Sequence, residues 1–256
     1  MYEKLFSLEG KKAVVTGGNG YLGSVLSRAM ADFGANVAVA DLETREQEHE
    51  RMISIACDVS DTGSIRKLYQ ETAERFGGID VLINCATYGA GYGPLGTVER
   101  MSDEDWHKGL DGAAGTVFRA TREVIPYMER AGGGSIVNFG SMYGIVSPDP
   151  SIYGDSGANN PANYGAGKAA VIQFTRYCAA HLAAKGIRVN SVTPGPFPNP
   201  RVQQNDAFLQ QLGKKTMLGR AGTAEEIAGA VVFLASGASS YMTGSNIVVD
   251  GGWTAW

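Results

Sequence analysis

The sequence predicts an α/β fold: a doubly wound, mostly parallel seven-stranded sheet in one domain spanning 1–256. Three observations carry that expectation. Short β-branched apolar stretches alternate with amphipathic stretches nearly throughout, the rhythm of a parallel sheet covered by helices on both faces. No Pro/Ser-rich linker, repeat or low-complexity tract divides the chain. A content of 44% hydrophobic and 19% charged residues is that of an ordinary folded globule.

The first strand is predicted at Ala13–Thr16 and runs into "TGGNGYLG". Leu22, Val25, Leu26, Ala29, Met30 and Phe33 follow at helical spacing. Gly17, Gly20 and Gly23 therefore sit on a strand-to-helix turn, with Tyr21 between the last two. Such a turn aims backbone N–H groups and the positive end of a helix at one point, which suits a phosphate. A Cβ there would hold a pyrophosphate off the backbone.

A second strand at Asn36–Ala40 ends on Asp41, twenty-four positions after Gly17. An acid there accepts hydrogen bonds from an adenosine ribose; the alternative reading is a helix cap. A 2′-phosphate would face that carboxylate. At ~4 Å and an effective dielectric of about 20, one such pair repels by ~4 kcal/mol. With no Arg or Lys in the glycine turn to compensate, NAD(H) is expected over NADP(H). The third strand, Ile53–Ala56, closes on "CDVSD", where Asp58 and Val59 either flank an adenine or only form a turn.

A helix over Thr62–Phe76, a strand at Val81–Asn84 and a helix over Gly115–Arg130 lead to a strand at Ser135–Phe139. Ser147–Asn163 holds three prolines, three asparagines, two glycines and two aspartates and reads as a loop. A helix over Ala166–Lys185 and a strand at Arg188–Val192 precede a second loop, Pro194–Asp206, with four prolines in its first seven residues. Long loops at one rim of an open α/β sheet commonly cover a ligand crevice. A helix over Ala224–Ala235 and a strand at Asn246–Val249 complete the pattern.

The formal net charge is −4, and no basic run attracts a nucleic acid or a membrane surface. Cys57, Cys85 and Cys178 are far apart and read as free thiols in a reducing compartment. His49, His107 and His181 are equally scattered, so no metal site is expected. The first residues lack a signal-peptide core, and no apolar run approaches the ~20 residues of a membrane span. A cytoplasmic location is expected.

Tyr164 and Lys168, four apart at the start of an apolar helix, share one face. A free phenol titrates near ~10. Lowering that by ~3 units takes about 4 kcal/mol, the scale that one close ammonium supplies in a partly desolvated site. Such a phenolate takes a proton from an alcohol as hydride leaves, or returns one as a carbonyl is reduced.

The ordered set "VVTGGNGYLG", "VADLE", "CDVSD", "IDVLINCAT", "GSIVNFGSMYG", "YGAGK", "IRVNSVTPG" and "VVDGGW" resembles the short-chain dehydrogenase/reductase family over essentially the whole chain. The resemblance implies a compact Rossmann-type sheet, NAD(P)-dependent alcohol–carbonyl chemistry and assembly into homotetramers or dimers through helices and the C-terminal strand. By it Tyr164 is the catalytic acid/base. Lys168 lowers the tyrosine's pKa and binds the nicotinamide ribose, and Ser141 orients the reacting oxygen. Asn84 stabilises the sheet centre near the cofactor, Pro194 and Gly195 form the turn beside the nicotinamide, and the Phe197 backbone touches its carboxamide. With Gly17, Asn19, Gly20, Tyr21, Leu22, Gly23, Asp41, Asp58, Val59 and Ala86, these complete the expected NAD site.

Three departures stand out. The compact subgroup would have glycine where Tyr21 stands; the threefold glycine spacing resembles the extended subgroup, so Tyr21 is expected to wall the pyrophosphate. Ala113 stands where the family usually has an asparagine that holds a proton-relaying water, and Asp111 and Asn138 are the candidate replacements. The interval between Ser141 and Tyr164 is about ten residues longer than usual, placing Tyr153 and Asn159 beside the substrate. Asn199, Arg201 and Gln203 after the proline turn favour a polar small molecule, a sugar or sugar acid. The expected function is NAD(H)-dependent redox chemistry in carbohydrate metabolism. The alternatives are an NAD-binding protein of weak or no catalysis, and an epimerase or dehydratase using transient oxidation.

Overall fold

The computed structural model describes residues 2–91 and 93–256. Its strands are β1 (Lys12–Thr16), β2 (Asn36–Asp41), β3 (Met52–Ala56), β4 (Val81–Asn84), β5 (Gly134–Phe139), β6 (Ile187–Pro194) and β7 (Asn246–Val249). They form one sheet in the order β3-β2-β1-β4-β5-β6-β7. All six pairings are parallel, so the expected architecture is present and fully parallel.

The helices are α1 (Glu3–Phe6), α2 (Tyr21–Asp32), α3 (Thr62–Phe76), α4 (Asp103–Leu110), α5 (Thr116–Arg130), α6 (Ala162–Leu182), α7 (Asp206–Lys215) and α8 (Glu225–Ala235). The twofold alternation of strand side chains separates two cores. Val15, Ile83, Val137 and Val192 meet Leu26 and Met30 of α2 and Ile227 and Val231 of α8 on one face. Val14, Leu82, Ile136 and Val189 meet Leu68 of α3, Val124 of α5 and Leu182 of α6 on the other.

The chain winds outward from β1 to β3 and then crosses back to β4, so strand order reverses between β1 and β4. Thr16 pairs with both Ala40 and Asn84, which brings the carboxyl ends of three strands to one rim. A crevice at such a switch point is where open α/β sheets bind ligands.

Several boundaries differ from expectation: the strand expected at Arg188–Val192 runs over Ile187–Pro194, and the helix expected to reach Lys185 ends at Leu182. The helix expected from Ala166 begins at Ala162, on Pro161 as its N-cap. Ala162 and Asn163 therefore belong to α6, and Pro150–Tyr153 adds a 3₁₀ turn inside the expected loop. Between α4 and α5 the helix widens to a π turn over Asp111–Gly115; it contains Ala113 and faces α6.

Candidate active site

The glycine turn is shaped by close approach. Gly17 has φ +68°, and a Cβ on it would stand 2.9 Å from the Ala86 Cα after β4. A Cβ on Gly23, in the first turn of α2, would stand 2.0 Å from the Gly17 carbonyl oxygen. A side chain at either position would collide with backbone, at Ala86 or within the turn itself, so glycine is required here by the close packing of the turn against the end of β4 and the start of α2. Over it lies a cleft of about 640 Å³ lined by Gly17, Gly20, Tyr21, Leu22, Gly23, Asp41, Asp58, Val59 and Ala86. Leu42, Cys85, Thr87, Tyr88 and Lys108 also border it.

Asp41 acts on the turn itself. Its Oδ2 accepts the Asn19 N–H at 2.9 Å and its Oδ1 the Leu42 N–H at 2.9 Å. It caps no helix, so that alternative is set aside. Each carboxylate oxygen keeps a second lone pair for a ribose hydroxyl. Arg45 donates to the Asn19 carbonyl oxygen at 3.3 Å, a cation near the turn that the glycine motif alone did not reveal. Arg45 borders a separate hollow with Gly18, Ser24 and Arg28 and is not among the residues that line the cleft with Asp41. Asp58 caps its own turn through the Ser60 N–H at 2.8 Å and also borders the cleft.

Tyr164 and Lys168 lie on the first turns of α6. Lys168 is 5% exposed, and its ammonium is 5.9 Å from the centre of the Tyr164 ring. It donates to the Phe139 carbonyl oxygen at 2.8 Å. Among the described residues no carboxylate pairs with it, and burial pulls its pKa down to about 8. Two ammonium protons remain for other acceptors, a demand that the hydroxyls of a nicotinamide ribose fit. Ser141 is buried at the carboxyl end of β5 and accepts the Tyr143 N–H at 3.2 Å, which leaves its hydroxyl proton free to donate.

Asn84 is sealed in the sheet centre, donating to Asn138 at 2.9 Å. Asn138 in turn donates to Thr175 of α6 at 2.9 Å. That chain braces β4, β5 and α6, and it engages Asn138, one of the two candidate replacements for the family asparagine. The other, Asp111, takes two hydrogen bonds from Arg119 at 2.7 and 2.9 Å and one from Tyr88. Arg119 holds the Asp111 carboxyl below the usual carboxylate range and also ties in the Val59 carbonyl at 3.1 Å. This cluster at the cleft wall lacked a sequence signal, since its members are scattered over three elements.

The inserted loop packs on α7. Tyr153 stacks on Phe208 at 5.6 Å, and Asp149 pairs with Lys215 at 2.5 Å. Tyr153 is also the hydrogen-bond partner of Tyr143, whose phenol burial pushes far above its ordinary pKa. Tyr143, Ile152, Leu212 and Trp253 form an apolar cluster against which Tyr164 packs, an aromatic wall that the sequence reading missed. Of the remaining expected substrate residues, Asn159 accepts the Gly93 N–H at 3.0 Å and Asn199 caps the turn at Arg201 and Val202. Arg201 is exposed. Gly195 lies against Asp250, where a Cβ would stand 2.5 Å from its Cα, and the Phe197 ring covers Gly222. Among the described residues no His/Cys/Asp/Glu group could hold a metal ion, and no helix is long and apolar enough to cross a membrane.

Known proteins resemble the chain in sequence and in fold. A family model described as enoyl-(acyl carrier protein) reductase matches residues 21–254. A 3-oxoacyl-(acyl-carrier-protein) reductase of Thermotoga maritima is 34% identical over 255 residues, covering 96% of this chain and 98% of its own. Galactitol 2-dehydrogenase of Rhizobium johnstonii is 34% identical over 269 residues, covering 100% and 99%. Among solved structures, a short-chain dehydrogenase from Leptospira borgpetersenii with bound NAD+ superposes with a TM-score of 0.87 at 32% identity, covering 99% and 96%. A gluconate 5-dehydrogenase from Burkholderia cenocepacia with NADP and tartrate superposes at 0.86 with 28% identity and full coverage of both chains. The chain belongs to the short-chain dehydrogenase/reductase family of oxidoreductases, whose members bind a nicotinamide cofactor.

Proposed function

We propose that this chain is an NAD(H)-dependent dehydrogenase or reductase that interconverts an alcohol and a carbonyl on a polar small molecule of the sugar or sugar-acid class. The observation that carries the reading is the buried ammonium of Lys168 beside Tyr164 and near Cys85, a residue that lines the cleft with Asp41 on its wall. When bound, a nicotinamide dinucleotide supplies or accepts the hydride.

The residues of this chain do the rest. Tyr164 moves the proton, giving it to a carbonyl oxygen in reduction and taking it from a hydroxyl in oxidation. A nearby ammonium favours the phenolate over the neutral phenol, and that of Lys168 stands 5.9 Å from the centre of the Tyr164 ring. The Ser141 hydroxyl orients the reacting oxygen.

NAD(H) is favoured because Asp41 borders the cleft while Arg45 is not among the residues that line it. The sugar class is supported by likeness to galactitol 2-dehydrogenase and gluconate 5-dehydrogenase. Copies of the chain are proposed to assemble through α5 and α6, where Phe118 and Tyr177 are 46% and 63% exposed. The test is a screen of keto-sugars, sugar acids, polyols and a 3-oxoacyl thioester with NADH, NADPH and their oxidised forms. Turnover of a sugar-class compound with NAD(H) is expected; turnover confined to the thioester and NADPH would overturn the reading.

A further inference from the structure

Tyr21 stands where the compact family pattern calls for a residue without a side chain, and its phenol reaches another part of the molecule. Gln203, 182 residues further on, donates to the Tyr21 hydroxyl oxygen at 3.2 Å and to the Pro198 carbonyl at 2.8 Å. A carboxamide nitrogen has two protons, so both are engaged and the direction of the side chain is set. The turn that carries Gln203 is itself built. The Asn199 side chain accepts the N–H groups of Arg201 and Val202, and its carbonyl accepts the Gln203 N–H at 3.0 Å. The segment is held at its start by the Gly222 N–H on the Pro196 carbonyl at 3.0 Å and continues into α7. Tyr21 is the first residue of α2 and borders the cleft. Its oxygen accepts from Gln203, so its own proton is free to donate to an acceptor in the cleft.

We propose that Tyr21 and Gln203 form a strap across the dinucleotide cleft, with Tyr21 the positioning residue that ties segment 196–205 to the cofactor's diphosphate and slows its release. The proposal rests on the dinucleotide reading above and goes beyond it in assigning a side-chain pair to cofactor residence time. Glycine at position 21 would leave Gln203 without its partner across the cleft and the diphosphate without a phenol donor.

The experiment is stopped-flow displacement of NADH from the unmodified protein and from Tyr21→Phe, Gln203→Leu and the double variant, followed by NADH fluorescence. Both side chains are on the surface, and a thermal melt of each variant checks that the fold is retained. A hydrogen bond of ordinary strength predicts a release rate two- to tenfold higher in each single variant. The double variant should release no faster than the faster single one, because Gln203 acts on the cofactor only through Tyr21. Unchanged release in the single variants, or effects that multiply in the double, would overturn the strap while leaving the dinucleotide reading intact. Failure of the unmodified protein to bind either NADH or NADPH would overturn that reading, and the strap with it.

Discussion

Gly167 of α6 lies against Ala113 of the π turn so closely that a Cβ at position 167 would stand 2.7 Å from the Ala113 Cβ. The two helices meet here through small residues, and this contact sets the height of α6, and hence of Tyr164 and Lys168, above the sheet. Gly167→Ala forces the helices apart, and overpacking of this kind costs typically 1–3 kcal/mol. A melt should fall by several degrees, and adding Ala113→Gly should recover part of the loss. A melt unchanged by Gly167→Ala would show that the contact is slack.

Lys168 makes the folded protein less stable than it would otherwise be. Its pKa of about 8 lies below the ordinary 10.5, so between those values the unfolded chain holds a proton that the folded chain has released. The penalty is present in full below pH 8 and fades as pH rises through that window, amounting to about 3 kcal/mol. Cys57, Cys85 and Cys178, each pushed from 9.0 up to about 11 by burial, act in the opposite sense over an overlapping range. The informative quantity is therefore a difference. Lys168→Met should be more stable than the unmodified protein at pH 7 by about 1–3 kcal/mol, with the gap narrowing toward pH 10, while turnover is lost. Urea unfolding at both pH values reads it directly, and a gap that widens with pH would contradict the account.

Asp41 has two tasks, holding the Asn19 and Leu42 N–H groups and repelling a 2′-phosphate. Asp41→Ala should weaken NADH binding and at the same time narrow the preference for NADH over NADPH by about ten- to a thousandfold, the range set by removing one like-charge repulsion near ~4 Å. Titration with both cofactors gives the ratio. An unmodified protein that already prefers NADPH would refute the charge argument.

The inserted loop is held to α7 by the Asp149–Lys215 pair, which lowers the Asp149 carboxyl to about 2. Lys215→Met should leave the segment 154–160 open to a protease at neutral pH, with a cut there at least several-fold faster on a gel time course. Equal cutting would mean that the Tyr153–Phe208 stack alone holds the loop.

Much of this molecule was legible in the sequence because local rules decide it. All seven strands and the glycine turn follow from apolar alternation and from positions where a Cβ has no room. The rest depends on contacts between distant residues. Asn163 looked like part of a polar loop, but Pro161 starts a helix before it. Asp111 looked free to hold a water, yet Arg119 and Tyr88 from other elements engage it. Arg45 and Gln203 reach the glycine turn from loops whose courses no periodicity describes.

The role of Tyr164 is tested most directly by the rate of NADH oxidation with a substrate from the carbonyl screen, compared between the unmodified protein and Tyr164→Phe. The account predicts loss of at least a thousandfold in turnover, with NADH affinity kept within a few-fold. Turnover that survives in the phenylalanine variant would contradict it.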